Sequence, residues 1–127
     1  MNLKRDKFDK VFSDYIRTRD KWTCVRCGRY YPEGMRGGLH CSHFYGRANK
    51  AVRWDEKNAD SHCYGCHQFF GANPELFREW KLNSMGEKEY KALRRRSQEV
   101  KKWTTTEKEA MYKDYLAKIA KINKDNA

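Results

Sequence analysis

Two Cys-x-x-Cys pairs constrain the fold of this chain more than any other feature of its sequence. They are Cys24-Val25-Arg26-Cys27 and Cys63-Tyr64-Gly65-Cys66. Each pair supplies two thiolates from one tight turn, so the two pairs together suit a tetrahedral Zn²⁺. The 35 residues between the pairs exceed the spacing of about 15 to 20 in ribbon-type sites, which leaves room for a hairpin. We therefore predict a structural zinc on Cys24, Cys27, Cys63 and Cys66.

The composition favours such a metal staple. Only 39% of the 127 residues are hydrophobic, so the apolar core must be small, and small cores commonly need a metal or disulfides. No apolar N-terminal stretch resembles a signal peptide, which favours zinc in a reducing cytosol over disulfides. A run of about 18 apolar residues is also missing, so we expect no membrane span. A zinc ligand set that uses His40, Cys41 or His62 is the alternative.

The positive charge of the chain is clustered. The net charge is +11, and residues 88–102 hold seven cations against the two anions Glu89 and Glu99. Such a density of cations is typical of a surface that binds phosphate backbones. We therefore predict nucleic-acid contacts from this segment and from the loop between the cysteine pairs. The cations assigned to nucleic-acid binding are Arg47, Lys50, Arg53, Arg94, Arg95, Arg96, Lys101 and Lys102.

The predicted elements form a mostly helical α+β chain, which we treat as a single domain, 1–127. Residues 1–21 hold an N-terminal helix, 22–72 the zinc-bearing core and 73–127 a helical basic extension. Apolar residues at three- and four-residue spacing predict the first helix over 4–19. A strand is expected over 39–45, and helices over 63–71, from Pro74 onwards and over 87–103. Thr106 and Glu109 match a capping box for a last helix.

Three residues around the second cysteine pair are of the types that hydrolyse phosphodiesters: His43, Asn58 and His67. This reaction needs a base that takes a proton from water, a divalent cation that holds the phosphate, and a rigid scaffold. A neutral imidazole suits the base, and we assign that role to His43, facing His67 across the hairpin. His67 would ligate the metal from a helix N-terminus. Asn58 would hold the loop that positions His43, although alone it equally suits a turn.

Several stretches together resemble the phage NinG family, the lambda-type Rap recombination endonucleases. They are residues 12–20, Cys24 to Arg29, His43-Phe44, residues 53–58 and Cys63-x-x-Cys66. The resemblance covers residues from about 8 to 80. The order His, Asn, Cys-x-x-Cys-His is also that of HNH nucleases, so the resemblance implies a small zinc-stapled ββα-metal (HNH-like) core. The layout is similar to that of a four-cysteine-zinc phage resolvase in the same superfamily.

This resemblance implies a metal-dependent endonuclease that cuts branched DNA, such as Holliday junctions and D-loops, during phage recombination in the cytosol of the bacterial host. The implied cofactors are a structural Zn²⁺ and a catalytic Mg²⁺ or Mn²⁺. Symmetric cutting of a four-way junction would favour a homodimer, because two active sites must face two strands.

Three positions differ from the pattern of these families. Many HNH enzymes have Asp or His just before the base, where this chain has Ser42, and NinG-like sequences tend to have Asn in place of His67. Gly71, four residues after His67, cannot supply a second ligand. Residues two apart on a strand share a face, so we expect His40 beside Ser42. We therefore name His40 with His67 as ligands of the catalytic metal.

Two other classes of function fit parts of the sequence. A non-catalytic zinc-finger protein that binds nucleic acid is the main alternative, but such a protein has no need of His43, Asn58 and His67 in this order. A protein-interaction adaptor would form a coiled coil from its C-terminal helices. The three consecutive arginines at 94–96 suit phosphate better than the apolar seam that a coiled coil requires.

Overall fold

The computed structural model of the protein describes residues 4–126, and this part of the chain is mostly helical with one two-stranded sheet. This confirms the α+β prediction. The elements in chain order are α1 (Lys7–Arg19), β1 (Leu39–His43), a 3-10 turn (Glu56–Asn58), β2 (Ala59–Cys63), α2 (Tyr64–Ala72), α3 (Pro74–Met85), α4 (Glu87–Ser97) and α5 (Thr105–Asp125). Among the described helices, none has the length and apolar character needed to cross a membrane.

Helix α1 begins later than the predicted residue 4, because Asp6 caps it. The Asp6 carboxylate accepts hydrogen bonds from the backbone N–H groups of Phe8 and Asp9, at 3.0 and 2.9 Å. The Asp9 carboxylate in turn accepts the Asp6 N–H at 3.1 Å. This reciprocal capping satisfies amides that the first turn of a helix leaves without partners.

Strands β1 and β2 form an antiparallel hairpin in which Leu39 lies opposite Cys63 and His43 opposite Ala59. β1 is shorter than the predicted 39–45, because the side chain of Asn58 takes both backbone polar groups of Tyr45. Successive side chains of a strand point to opposite faces. We name the face of the odd-numbered residues the α1 face, and that of the even-numbered residues the α2 face, after the helices that cover them.

Two apolar clusters form the core. The first joins α1, α5 and the α1 face of the hairpin, so the apolar side of α1 that its residue spacing predicts is the side that packs inward. It contains Val11, Phe12, Tyr15, Ile16, Trp54, Ala59 and Tyr115. The second surrounds the cysteine pairs and contains Trp22, Cys24, Leu39, Cys63 and Cys66. The hairpin therefore connects a helical core to the cysteine cluster.

The C-terminal helices differ in their limits from the prediction. α4 ends at Ser97 instead of Trp103, whose indole N–H donates to the Lys50 carbonyl at 2.8 Å. α5 begins after Thr104, which exchanges hydrogen bonds of 3.0 and 3.1 Å with Glu107. The predicted cap, Thr106 with Glu109, is therefore wrong, because an equivalent pattern lies two residues earlier. Contacts between α1 and α5 use the apolar side of α5, as in the ring pair of Tyr15 and Tyr115, 4.8 Å apart.

Candidate functional site

The four paired cysteines lie together as predicted. Their Sγ atoms are all within 4.8 Å of one another, and those of Cys27 and Cys63 are 3.8 Å apart. A tetrahedral ion with Zn–S bonds of about 2.3 Å requires sulfur atoms about 3.8 Å apart, so this donor set fits Zn²⁺. Within residues 4–126, no other group of three or more His, Cys, Asp or Glu side chains is close enough to hold a metal.

Local backbone geometry explains why the two pairs meet. Gly28 has a φ of +80°, which glycine adopts without strain, and its N–H closes the first turn onto the Cys24 carbonyl at 2.8 Å. The first pair is joined to β2 by the Val25 N–H, which donates to the Ser61 carbonyl at 3.0 Å. Cys63 caps α2, because its Sγ accepts the Cys66 N–H at 3.4 Å.

The alternative zinc ligands His40, Cys41 and His62 lie outside the cysteine cluster. Cys41 packs against the first core cluster, and burial raises the pKa of its thiol to about 11, so the thiol is neutral. His62 is fully buried on the α2 face. Its ring is 4.9 Å from that of Trp80 and 5.2 Å from that of Phe70. The structure therefore favours the four cysteines as the ligand set.

His43 lies at the end of β1 on the α1 face, with its ring 5.6 Å from that of Phe12. Its Nε2 is 3.1 Å from the Arg53 carbonyl. A carbonyl only accepts hydrogen bonds, so the ring carries its proton on Nε2, and Nδ1 is the acceptor of the neutral form. Burial lowers the pKa of His43 to about 4. At neutral pH the imidazole is thus uncharged and able to accept a proton.

Asn58 is fully buried and holds both ends of the loop that follows β1. Its Nδ2 donates to the carbonyls of Tyr45 and Val52, at 2.8 and 3.0 Å. Its Oδ1 accepts the Tyr45 N–H at 2.8 Å. The loop held in this way ends at Arg53, whose carbonyl binds His43, so the geometry matches the positioning role expected of Asn58. An effect on catalysis stays a prediction.

His67, in the first turn of α2, contacts the α2 face. Its Nδ1 is 3.3 Å from the Ser42 Oγ, and its ring stacks on that of His40 with 5.2 Å between ring centres. Burial and the neighbouring His40 lower the pKa of His67. The expectation that His43 faces His67 is therefore wrong. The pleat of β1 directs His43 to the α1 face, whereas His67 packs on the α2 face. The expected proximity of His40 and Ser42 on one face is confirmed.

Comparison with known proteins places the chain in a family. It matches the model described as Bacteriophage Lambda NinG protein over residues 3–125. The chain belongs to the NinG family. This match includes almost the whole chain, so it extends the resemblance well beyond residues 8–80. Neither the curated proteins nor the solved structures gave a match.

One residue that organises the site in this NinG-family chain escapes prediction from the sequence. Asp9 on α1 is 2% exposed, and its carboxylate accepts hydrogen bonds from Arg53 at 2.6 and 2.9 Å and from the Trp54 indole at 3.0 Å. Burial alone would raise the pKa of Asp9, but these partners lower it to about 2. The Arg53 guanidinium, assigned to DNA, is thus held inside the protein. No local pattern marks Asp9 as different from a surface acid.

The other cations assigned to DNA differ in how far they are available. Arg94 and Arg95 are exposed on α4, and Lys50 and Lys102 are exposed outside the helices. Arg96 instead binds Asp55 at 2.6 Å, and Lys101 binds Glu107 at 2.7 Å. The Arg47 guanidinium lies 3.5 Å from the Asp9 carboxylate. Contacts to DNA from these residues stay predictions, and Arg94 and Arg95 are the best placed of the arginines.

Proposed function

We propose that the protein is a metal-dependent HNH-type endonuclease that hydrolyses phosphodiesters in branched DNA, including Holliday junctions and D-loops. It would act during phage recombination in the bacterial cytosol, as a homodimer when it cuts both strands of a junction. The observation that carries this proposal is the chain of contacts from Asn58 through the loop to the Arg53 carbonyl and His43. In a protein that only binds nucleic acid, the same contacts would serve only to hold the loop.

His43 is the proposed general base. Because its Nε2–H donates to the Arg53 carbonyl, the other ring nitrogen, Nδ1, has the free lone pair that can take a proton from water. Burial lowers the pKa of His43 to about 4, so the ring is neutral at physiological pH. A base of this strength needs substantial help from stabilisation of the leaving oxygen.

The proposed site for the catalytic metal consists of His40 and His67, whose ring centres are 5.2 Å apart. Its donors are two imidazoles. Imidazole is a ligand for transition metals, whereas Mg²⁺ binds mainly through oxygen. Of Mg²⁺ and Mn²⁺, this set therefore fits Mn²⁺ better. The His40 Nε2 is buried and has no hydrogen-bond partner among the described residues, so it is available as a ligand. When bound, such an ion would stabilise negative charge on the phosphate.

The cysteine cluster is proposed to hold Zn²⁺ in a structural role. Cys24, Cys63 and Cys66 are buried, and all four ligand positions are taken by thiolates. A closed site of this kind offers no open position for water or substrate. Zinc there would instead fix the end of β2 and the start of α2, and thereby the position of His67.

The test is cleavage of a labelled four-way junction by variants of the proposed base, with Mn²⁺ present. His43→Gln retains a hydrogen-bond donor for the Arg53 carbonyl but has no basic nitrogen. We expect cleavage to fall by about 10² to 10⁴, the usual contribution of a general base, with folding and junction binding retained. Cutting at the wild-type rate would contradict the assignment of His43 and favour a zinc-finger protein that binds nucleic acid without cleaving it.

His67→Ala tests the metal site independently of the base. We expect it to abolish cleavage at low Mn²⁺ and to recover part of the activity as the Mn²⁺ concentration is raised, because only metal affinity is lost. His43→Gln should show no such recovery. The matched control is His62→Phe, which replaces another buried histidine of the hairpin. A loss of cleavage in His67→Ala that is unaffected by Mn²⁺ would argue against His67 as a ligand.

A further inference from the structure

A cleft of about 640 Å³ lies between α1 and the start of β1, apart from the residues assigned to DNA. Four cations and one carboxylate line it: Arg5, Lys10, Arg17, Arg36 and Asp14. His40 and Cys41 line it as well, although they belong to opposite faces of the hairpin. The cleft must therefore follow the edge of β1 that does not pair with β2.

The charges in the cleft are only partly neutralised. Asp14 accepts hydrogen bonds from Arg17 at 3.1 Å and from Arg36 at 2.8 and 3.0 Å. Lys10 is exposed and its ammonium has no partner within residues 4–126. Arg5 is exposed as well, and its guanidinium donates to the neutral Ser13 hydroxyl at 3.1 Å. Arg5 and Lys10 thus present two positive charges that no acid of the described chain offsets.

The cleft also reaches the proposed metal site. His40 lines it, and the same ring stacks on His67. The buried Nε2 of His40 has no hydrogen-bond partner in the described chain. An unpaired buried nitrogen destabilises the folded protein, and a ligand in the cleft or at the metal site would remove this penalty. An anion that entered between Arg5 and Lys10 would therefore lie on a path to His40.

We propose that this cleft binds the phosphate backbone of the duplex arm that is to be cut and leads it to the His40–His67 pair. This inference rests on the proposed function. No Phe, Tyr or Trp lines the cleft, so it lacks the rings on which proteins stack unpaired bases. Its charges suit phosphates, which position a duplex without reading its sequence. With the exposed Arg94 and Arg95 on α4 as a second cationic surface, the protein has contacts for two arms of a junction.

The test is the salt dependence of junction binding by the double variant Arg5→Ala/Lys10→Ala. The matched control is Lys113→Ala/Lys121→Ala, which removes the same charge from exposed positions on α5. Anisotropy of a labelled four-way junction gives the association constant across a range of salt, without added Mg²⁺ or Mn²⁺ so that no cleavage occurs. We expect the slope of log K against log salt to shrink by about 0.9 for each lost phosphate contact, and the control to keep the wild-type slope.

Three results would overturn the inference in different ways. Equal slopes of log K against log salt for the double variant and its control would show that Arg5 and Lys10 act only through the net charge of the protein and do not contact phosphates. A change of slope with single strands but not with a duplex would contradict the assignment to a duplex arm. Failure of the wild type to bind a junction at all would reject the proposed function, and this inference with it.

Discussion

The two faces of the β1–β2 hairpin differ in how their buried polar groups are satisfied. On the α1 side, Asn58 makes three hydrogen bonds and Asp9 accepts three from Arg53 and Trp54. On the α2 side, Asp60 binds Lys81 at 2.7 Å, but the imidazoles are poorly satisfied. His40 Nε2 and both ring nitrogens of His62 are buried without a partner among the described residues.

This difference fits the proposed roles of the two faces, with the α1 face as a rigid scaffold and the α2 face as a binding site. Most buried polar groups in proteins are hydrogen-bonded, and each exception calls for an explanation. On the α1 face, the buried side chains of Asn58 and Asp9 are both hydrogen-bonded, so this face can hold His43 rigidly. On the α2 face, the proposed ligand would give the buried nitrogen of His40 a partner, and the His40 ring lies beside His67 and lines the cationic cleft. His62 instead packs among the rings of Phe70, Phe77 and Trp80 and does not line the cleft.

The largest expected effect comes from the cysteine cluster, on which both faces depend. Cys24→Ser should lose zinc and unfold the hairpin, because a structural zinc site contributes folding free energy directly. Metal content and thermal melting measure both effects. Cys41→Ala is the matched control, since Cys41 lies outside the cluster, and it should retain its zinc. A Cys24→Ser protein with the zinc content and melting temperature of the wild type would show that the four thiolates do not stabilise the fold through zinc.

A smaller effect is expected on the scaffold face from Asp9→Ala. This change leaves the Arg53 side chain, 11% exposed, without its partner, and loss of one member of a buried ion pair costs about 3–5 kcal/mol. Urea unfolding measures it. The control is Glu109→Ala, which breaks the exposed pair with Lys7 and should cost about 1 kcal/mol or less. Equal costs for the two variants would mean that the α1 face does not depend on Asp9.

Acid provides a second check on Asp9. Its pKa in the folded protein is about 2, against an ordinary value of 3.8. The unfolded chain therefore takes up the proton first as the pH falls. The stabilisation by Asp9 is fully present above pH 3.8 and is lost as the pH falls towards 2. Asp9→Ala should remove this part of the acid sensitivity.

The features that the sequence predicts well are those with a local cause. The cysteine pairs, the apolar stripe of α1 and the helix start at Pro74 follow from spacing or from one residue, and the structure confirms them. Period-two alternation likewise places His40 and Ser42 on one face. The predicted cap of α5, Thr106 with Glu109, has the same Thr-x-x-Glu spacing as the observed cap, Thr104 with Glu107, so spacing alone does not distinguish the two.

What the sequence cannot predict is which face of the hairpin each helix covers. His67 meets His40 and not His43, because α2 packs against the even-numbered residues of the hairpin. The contact of Asp9 with Arg53 joins positions 44 apart in the chain, and no periodicity connects them. In both cases tertiary packing decides which polar groups meet, and that information is not local.

The smallest expected effect tests whether the unpaired imidazole of His62 is a cost to the protein. Burial lowers the pKa of His62 to about 4 from an ordinary 6.5, so between these values the unfolded chain binds the proton and the folded protein does not. Stability should therefore fall as the pH drops from 6.5 to 4, and His62 contributes part of that fall alongside His43.

His62→Phe removes both unpaired nitrogens and keeps a ring among Phe70, Phe77 and Trp80. We expect the variant to be more stable than the wild type at pH 7 by about 1 kcal/mol, since unsatisfied buried groups cost about 1–3 kcal/mol each and the larger ring returns part of that gain through crowding. Its stability should also fall less steeply between pH 6.5 and 4. Urea unfolding at several pH values measures both quantities. A variant that is less stable at pH 7 and keeps the full pH dependence would show that His62 is satisfied in solution, and the contrast between the two faces would then rest on His40 alone.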